Sequence, residues 1–405
     1  MDEINKIKLS FIIETDIRYG GGTEKTILFY YKYMDKNLFD IKIFQTNIID
    51  KERVSQKDIE NIYGLKDYKR FFYPGIINNL LKDRDKGLSY QGRNISKDIF
   101  LFYSIFLKYL FSRTLNRKTF IDLMNSDIIY IVSDYQLFYL FFPRKLLSKK
   151  KPILIFGTHN YLPIERRPLN KFENTILDKM VYAIHFTSPA ILNLSKIKRD
   201  TDFIIFNGVD TRLFFPEKNA HEKTRYLFVG RLVEYKGIKE LLEAWARFKY
   251  KNSSELHIVG TGELEDLVIE KSKSIENIIY HGFVSEEELP SIYRNCDIFV
   301  FPTYGIRHDE YFGLVVIEAL ASGNYVILSD GMKGVFDYFE KNNALEYVSV
   351  NPEKISERME YAFENLSTLK ENVLNVRKYI EENYDWKSIS EELSKKIYEI
   401  YNKMS

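Results

Sequence analysis

Short runs of wholly apolar character alternate along this chain with longer stretches in which apolar residues recur every three or four positions. The first kind comprises KLSFIIET, FDIKIFQT, DIIYIVS, PILIFGTH, YAIHFTS and DFIIFNG in the first half, then RYLFVG, ELHIVG, NIIYHG, DIFVFP and NYVILS after about Glu217. Runs that are apolar at successive positions predict strands covered on both faces, so the sheets should be parallel and sandwiched between helices. The second kind is exemplified by Ile238, Leu241, Leu242, Trp245 and Phe248, a single helical stripe after Gly237. The rhythm restarts once. Between the two sets lies LFFPEKNAHEKTR, polar and proline-bearing, which predicts the boundary between two α/β domains in tandem. Near the end, TLKENVLNVRKYIEENYDWKSISEELSKKIYEIYNKM predicts two helices broken near Tyr384 and Asp385.

Composition narrows the classes of function. A length of 405 residues argues for about two cores. With 45% hydrophobic residues, 29% charged residues and a formal charge of +2, there is no global basic field of the kind nucleic acid attracts, so no nucleic-acid partner is expected. Cys296 is the single cysteine, which rules out an internal disulfide, and the opening MDEINKIK has no apolar segment of the secretory kind. The expectation is a cytoplasmic protein. The most apolar stretch, IFLFYSIFL, is closed by Asp98 and Lys108, well short of the roughly 18 apolar residues a membrane span requires. Residues 97–120, KDIFLFYSIFLKYLFSRTLNRKTF, combine aromatic and basic side chains, a pattern suited either to a core helix or to peripheral contact with an anionic membrane.

In open parallel sheets ligands bind beyond the carboxyl ends of the strands, and four such places carry unusual residues. After the first strand, IRYGGGTEKT sets Gly20, Gly21 and Gly22 before a helix predicted to begin near Thr23, a backbone able to approach an anion closely or simply a tight turn. Its spacing is neither the dinucleotide fingerprint nor a P-loop. After RYLFVG comes GRLVEYKG, where Arg231 offers a planar fork and Lys236 a point charge to an anionic ligand; the bland reading is two solvated surface charges. After PILIFG stands His159, without a histidine or cysteine at metal-ligand spacing, so no metal is predicted; a structural histidine is the plainer reading.

The fourth place is DEYFGLVVIEALASG. A helix is predicted from near Gly313 to just before Ser322 and Gly323, with Glu310 ahead of its first turn and Glu318 in its second. A fully helical span would separate the two Cα atoms by about 12 Å. Glycosidase carboxyls stand about 5 to 9.5 Å apart, so this spacing disfavours a two-carboxylate hydrolase. Inside LVVIEALA, Glu318 needs a partner, because an unpaired buried carboxylate costs several kcal/mol, and a ligand hydroxyl is one candidate.

Taken together, GGGTE, FNGVDTRLFFP, GRLVEYKGIKELLEAW, LHIVGTGELE, YHGFVSEEEL and EYFGLVVIEALASG resemble, in order and spacing, the retaining glycosyltransferases of family GT4, which have the GT-B fold. The resemblance is tight from about Phe206 to Ser329 and looser before. It implies two Rossmann-like domains with parallel sheets facing across a cleft: residues 1–214 for the acceptor, 215–383 for a nucleotide-diphosphate sugar, and a C-terminal helix, 384–405, packing back on the first domain. Arg231 and Lys236 match the pair that neutralises the diphosphate, Glu318 the residue that holds the ribose hydroxyls, and Glu310 the one that contacts the transferred sugar. Backbone amides of Phe312, Gly313 and Leu314 match the helix terminus at the phosphates, Gly21 and Gly22 the loop from the opposite domain, His159 the histidine beside the anomeric carbon, and Phe283 and Val284 the place of the base.

The resemblance implies transfer to a hydroxyl of a glycan or lipid-linked acceptor by a front-face route, with no cofactor and no metal. Two alternatives share its residues: a nonhydrolysing nucleotide-sugar epimerase and a catalytically silent nucleotide-sugar-binding protein. The chain departs from the pattern at Tyr311, in the charged loop YGIRHDE, and in DGMKGVFDYFE after NYVILS, so its sugar pocket is expected to be unusual.

Overall fold

The apolar runs become strands, and each set forms one sheet. In the first half these are β1 (Ile7–Ile13), β2 (Phe39–Gln45), β3 (Tyr68–Arg70), β4 (Ile128–Ile131), β5 (Ile153–Gly157), β6 (Ala183–Phe186) and β7 (Phe203–Ile204). In the second they are β8 (Thr224–Val229), β9 (Ser254–Val259), β10 (Ile278–Gly282), β11 (Ile298–Phe301), β12 (Tyr325–Ser329) and β13 (Leu345–Val348). This is a computed structural model that describes residues 6–13, 22–45, 65, 68–70, 117–132, 151–159, 177–217, 221–306, 310 and 312–404. Gly21, residues 97–116 and Tyr311 lie outside the described residues.

Two units emerge, one formed by Met1–Thr187, Ile191–Ile205 and Ser390–Ser405, the other by Ser188–Ala190 and Phe206–Ile389. In the first, the strand order is β3-β2-β1-β4-β5-β6-β7; in the second it is β10-β9-β8-β11-β12-β13. Every pairing is parallel, with Leu9 opposite Ile128 in one sheet and Ile298 opposite both Tyr226 and Tyr325 in the other. The order reverses between β1 and β4 in the first unit and between β8 and β11 in the second. Connections diverge to opposite faces at such a point and leave a crevice beyond the strand ends.

The edge strands β3 and β13 carry no continuous apolar run, and the pattern reading missed both. Edges are covered less completely than central strands, and β13 is fully buried only at its ends, at Leu345 and Val348, with the two residues between them half exposed. The stripe from Ile238 to Phe248 is buried as its period predicts. Trp245 and Phe248 stack with centroids 5.2 Å apart, and Tyr226 of β8 meets Trp245 edge-on at 5.7 Å.

The tail departs from expectation. It forms three helices, Leu366–Asn375, Arg377–Asn383 and Trp386–Met404, with an extra break at Val376. Arg377 donates to the carbonyls of Thr211 at 2.7 Å, Phe214 at 2.8 Å and Ala321 at 2.6 Å. These long-range bonds fix the chain where periodicity alone predicts one continuous helix. Among residues 97–120, only Arg117 to Phe120 are described: they open the helix Arg117–Met124, with Phe120 buried and Arg117 and Lys118 exposed. Among the described residues no helix is long and apolar enough to cross a membrane.

Candidate active site

In the second unit Lys236, which follows β8, meets Glu310, which follows β11. Beyond β8 the chain makes one tight turn, Glu234–Lys236, and stops at Gly237, whose φ of 71° is left-handed. A Cβ there would stand 1.9 Å from the carbonyl oxygen of Pro302, which follows β11. Glycine at 237 thus lets the two loops meet backbone to backbone. The contact continues as Tyr304 donates its amide to Tyr235 O at 2.8 Å and Thr303 its hydroxyl to the same oxygen at 3.1 Å. Both loops are locked together at the strand ends.

This lock sets the charges. Lys236 is paired with the Glu310 carboxylate, and the two side chains are only 12% and 11% exposed, so the contact is shielded from water. The ammonium also lies 5.0 Å from the Phe301 ring centroid and 5.3 Å from that of Tyr235. Arg231 is exposed, donates to the Tyr235 hydroxyl, and has its guanidinium 5.8 Å from the same ring. Tyr235 therefore touches both cations. Sequence reasoning missed it, although its place between them in GRLVEYKG was a signal.

Glu310 and Glu318 are not on one helix. The helix runs Leu314–Ala321, and its N-cap Gly313 has φ 74° and ψ 70°, a conformation that favours glycine. The separation expected from a straight helix therefore does not apply, because the chain turns at Gly313. A Cβ on Gly313 would lie 3.6 Å from Glu310 Oε1, which places that carboxylate beside the helix start. Phe312 is buried, with its ring centroid 5.2 Å from Phe336, and Leu314 is half buried.

The partner sought for Glu318 is within the protein: the Tyr293 hydroxyl donates to its Oε2 at 3.2 Å. Burial and the neighbouring carboxylate hold the Tyr293 phenol well above its ordinary pKa, so it remains a donor. Beyond β10, Phe283 is 81% exposed and Val284 half buried. An aromatic face so open has room for a planar group.

Gly22 and His159 belong to the first unit. Gly22 opens the helix Gly22–Tyr33, and its carbonyl accepts from Thr26 Oγ1 at 2.7 Å. His159 follows β5 and is buried; its Nε2 lies 2.9 Å from the Tyr130 hydroxyl. Tyr30, from the helix that Gly22 opens, meets the His159 ring edge-on at 6.2 Å. The second histidine that sequence spacing did not offer is His185 on β6, with its ring centroid 5.5 Å from His159.

Residues 209–383 match the family model described as glycosyl transferases group 1. An uncharacterized glycosyltransferase of Methanocaldococcus jannaschii is 26% identical over 206 residues, 47% of this chain and 52% of that protein, so the chain spans about half of it. A second uncharacterized glycosyltransferase of the same organism is 25% identical across 98% of this chain and 99% of its own length. Among solved structures, Anabaena HepE in complex with UDP and glucose superposes with a TM-score of 0.69 at 14% identity, covering 96% of this chain and 99% of that one. The matches favour neither an epimerase nor a silent binding protein. Residues 209–383 therefore resemble the glycosyl transferases group 1, and the two parallel sheets take a fold of the GT-B kind.

Proposed function

We propose that the chain is a retaining glycosyltransferase of the GT4 kind that moves a hexose from a nucleotide-diphosphate sugar to a hydroxyl of a glycan or lipid-linked acceptor. The observation that carries this reading is the set at the β8/β11 crevice, where Arg231, Lys236, Glu310 and the start of the helix Leu314–Ala321 converge. The HepE structure, with UDP and glucose bound, supports a donor of that class.

In this reading Arg231 and Lys236 receive the diphosphate, and the amides of Phe312, Gly313 and Leu314 add the positive end of the helix. As the bond from the anomeric carbon to the phosphate oxygen breaks, charge builds on the leaving group, where fixed cations lower the barrier. The acceptor oxygen bonds to the anomeric carbon from the side of departure, and its proton passes to a phosphate oxygen, so configuration is retained. Those cations can offset the diphosphate charge without a metal. Glu310 accepts from hydroxyls of the transferred sugar, Glu318 from those of the ribose, and Phe283 with Val284 flanks the base. Gly21 and Gly22 are assigned to the diphosphate and His159 to the sugar. The basic, aromatic segment 97–120 suits an anionic membrane surface, and the reaction would run on its cytoplasmic side.

The test is a thermal-shift panel of uridine, guanosine and adenosine diphosphosugars, followed by assay of released nucleotide with and without glycan acceptors. One donor should raise the melting temperature by a few degrees, because binding to the folded state alone stabilises it. Arg231→Ala should remove that shift and leave the unliganded melting temperature in place. If no diphosphosugar moves the transition, the reading fails.

A further inference from the structure

Behind His159 stands a line of hydrogen bonds buried in the first sheet. The Tyr130 hydroxyl of β4 lies 2.9 Å from His159 Nε2 and 2.5 Å from His185 Nδ1, and His185 Nε2 lies 2.7 Å from the carbonyl oxygen of Ile205. His185 and Tyr130 are fully buried and His159 nearly so. The direction of this line follows from donor and acceptor chemistry.

A carbonyl oxygen only accepts, so His185 Nε2 must carry a hydrogen. Burial pushes the pKa of His185 down to about 4, so the ring is neutral near pH 7 and holds that one proton. Its Nδ1 is then an acceptor, and the Tyr130 hydroxyl must donate to it. Burial also holds the Tyr130 phenol in its protonated form. With its one hydrogen spent on His185, the Tyr130 oxygen can only accept from His159 Nε2. The reverse direction would set a lone pair of His185 Nε2 against the lone pairs of Ile205 O at 2.7 Å.

We propose that Tyr130 and His185 are positioning residues that hold His159 in its Nε2–H tautomer, so that Nδ1 carries the lone pair. The backbone makes room for this arrangement. A Cβ at residue 157 would stand 2.3 Å from the Tyr130 hydroxyl and 2.8 Å from His159 Cδ2, so Gly157 keeps clear the space where the two groups meet. The function of the tautomer rests on the glycosyltransferase reading: toward a bound sugar, His159 in this tautomer accepts a hydroxyl hydrogen through Nδ1 and does not donate one. The line thereby sets the polarity of the first unit's contribution to sugar recognition.

The experiment is ring-nitrogen NMR of the full chain labelled at its 6 histidines, with signals assigned by their loss in His159→Gln and His185→Gln. The expected wild-type spectrum shows His159 protonated at Nε2 and His185 protonated at Nε2. Tyr130→Phe should convert His159 to a mixture of tautomers and lower kcat for sugar transfer by about tenfold at little change in donor KM. His185→Gln keeps both a donor for Ile205 and an acceptor for Tyr130, so it should retain the His159 signature where His185→Leu loses it. A wild-type His159 protonated at Nδ1, or a Tyr130→Phe spectrum unchanged at His159, overturns the proposal. If the tautomer is as expected but His159→Gln transfers sugar at the wild-type rate, the role at the sugar is overturned while the buried line stands.

Discussion

The two units carry their polar chemistry in opposite styles. In the second, full charges stand at the mouth of the crevice: Lys236 against Glu310, and Arg231 against the Tyr235 hydroxyl. In the first, the described polar groups around His159 are neutral and buried, and each is fixed by the donor or acceptor demand of the next. A charged cluster can exchange partners when an anion arrives, because a phosphate can stand in for Glu310 or the Tyr235 hydroxyl at its two cations. A buried neutral line cannot exchange without leaving a polar group unsatisfied, which costs on the order of 1 to 3 kcal/mol. The second unit is thus built to receive a changing charge, and the first to hold a direction.

The largest effect should come from the charged side. Lys236→Ala removes the cation proposed to meet the departing diphosphate and leaves Glu310 without its ammonium partner. Turnover, measured as released nucleotide, should fall by about two to three orders of magnitude, as it does when a single charge-stabilising donor is removed. Tyr130→Phe, on the neutral side, should cost far less. Equal losses from the two variants would erase the contrast between a charge-receiving and a direction-holding region.

The same division governs how much was legible in the sequence. Both sheets and the stripe after Gly237 were readable because burial on two faces or one imposes a period on composition. Arg231, Lys236, Glu310 and Glu318 stood out because charges next to apolar strands, or within an apolar helix, are conspicuous. Tyr130 and His185 were passed over as ordinary members of DIIYIVS and YAIHFTS. Both sit in strands read as doubly buried, where a polar atom must find a partner, so the signal was present. What the sequence withheld was the pairing, since residues 130, 159 and 185 become neighbours only once β4, β5 and β6 lie side by side. The edge strands β3 and β13 were illegible because neither carries a continuous apolar run, and the break at Val376 because long-range contacts decide it.

Acid should expose the neutral side. His185 has a folded pKa pushed down from its ordinary 6.5 to about 4. Between those values the unfolded chain binds a proton that the folded one does not, so stability falls as pH drops from 6.5 toward 4. Above 6.5 the contribution is complete, and over the whole window it amounts to about 3 kcal/mol. His257 in the second unit, also pushed down to about 4 by burial, gives the wild type a slope of the same sign. The informative quantity is therefore the difference between wild type and His185→Gln, which has no proton to gain at that position. Urea midpoints at pH 7, 5.5 and 4.5 should show the variant losing less stability than wild type; parallel curves would mean that His185 titrates normally and that its Nδ1 is not reserved for Tyr130.

The smallest effect tests whether the charged side also contains a fixed direction. Tyr293 has one hydrogen to give, to Glu318 Oε2 at 3.2 Å, and its hydroxyl also lies 3.3 Å from Val315 O in the first turn of the same helix. If Glu318 accepts from the ribose, Tyr293→Phe removes one hydrogen bond to the carboxylate, at a cost near the net worth of that bond, about 1 kcal/mol. Donor affinity, measured by calorimetry, should weaken by a few-fold with kcat unchanged, because the ribose is remote from the bond that breaks and its hold is the same in ground and transition states. A fall in kcat at constant affinity would instead place Glu318 near the reacting carbon. The division of labour between the two glutamates would then be the reverse of the one proposed, with Glu310 serving chiefly as the counter-ion of Lys236.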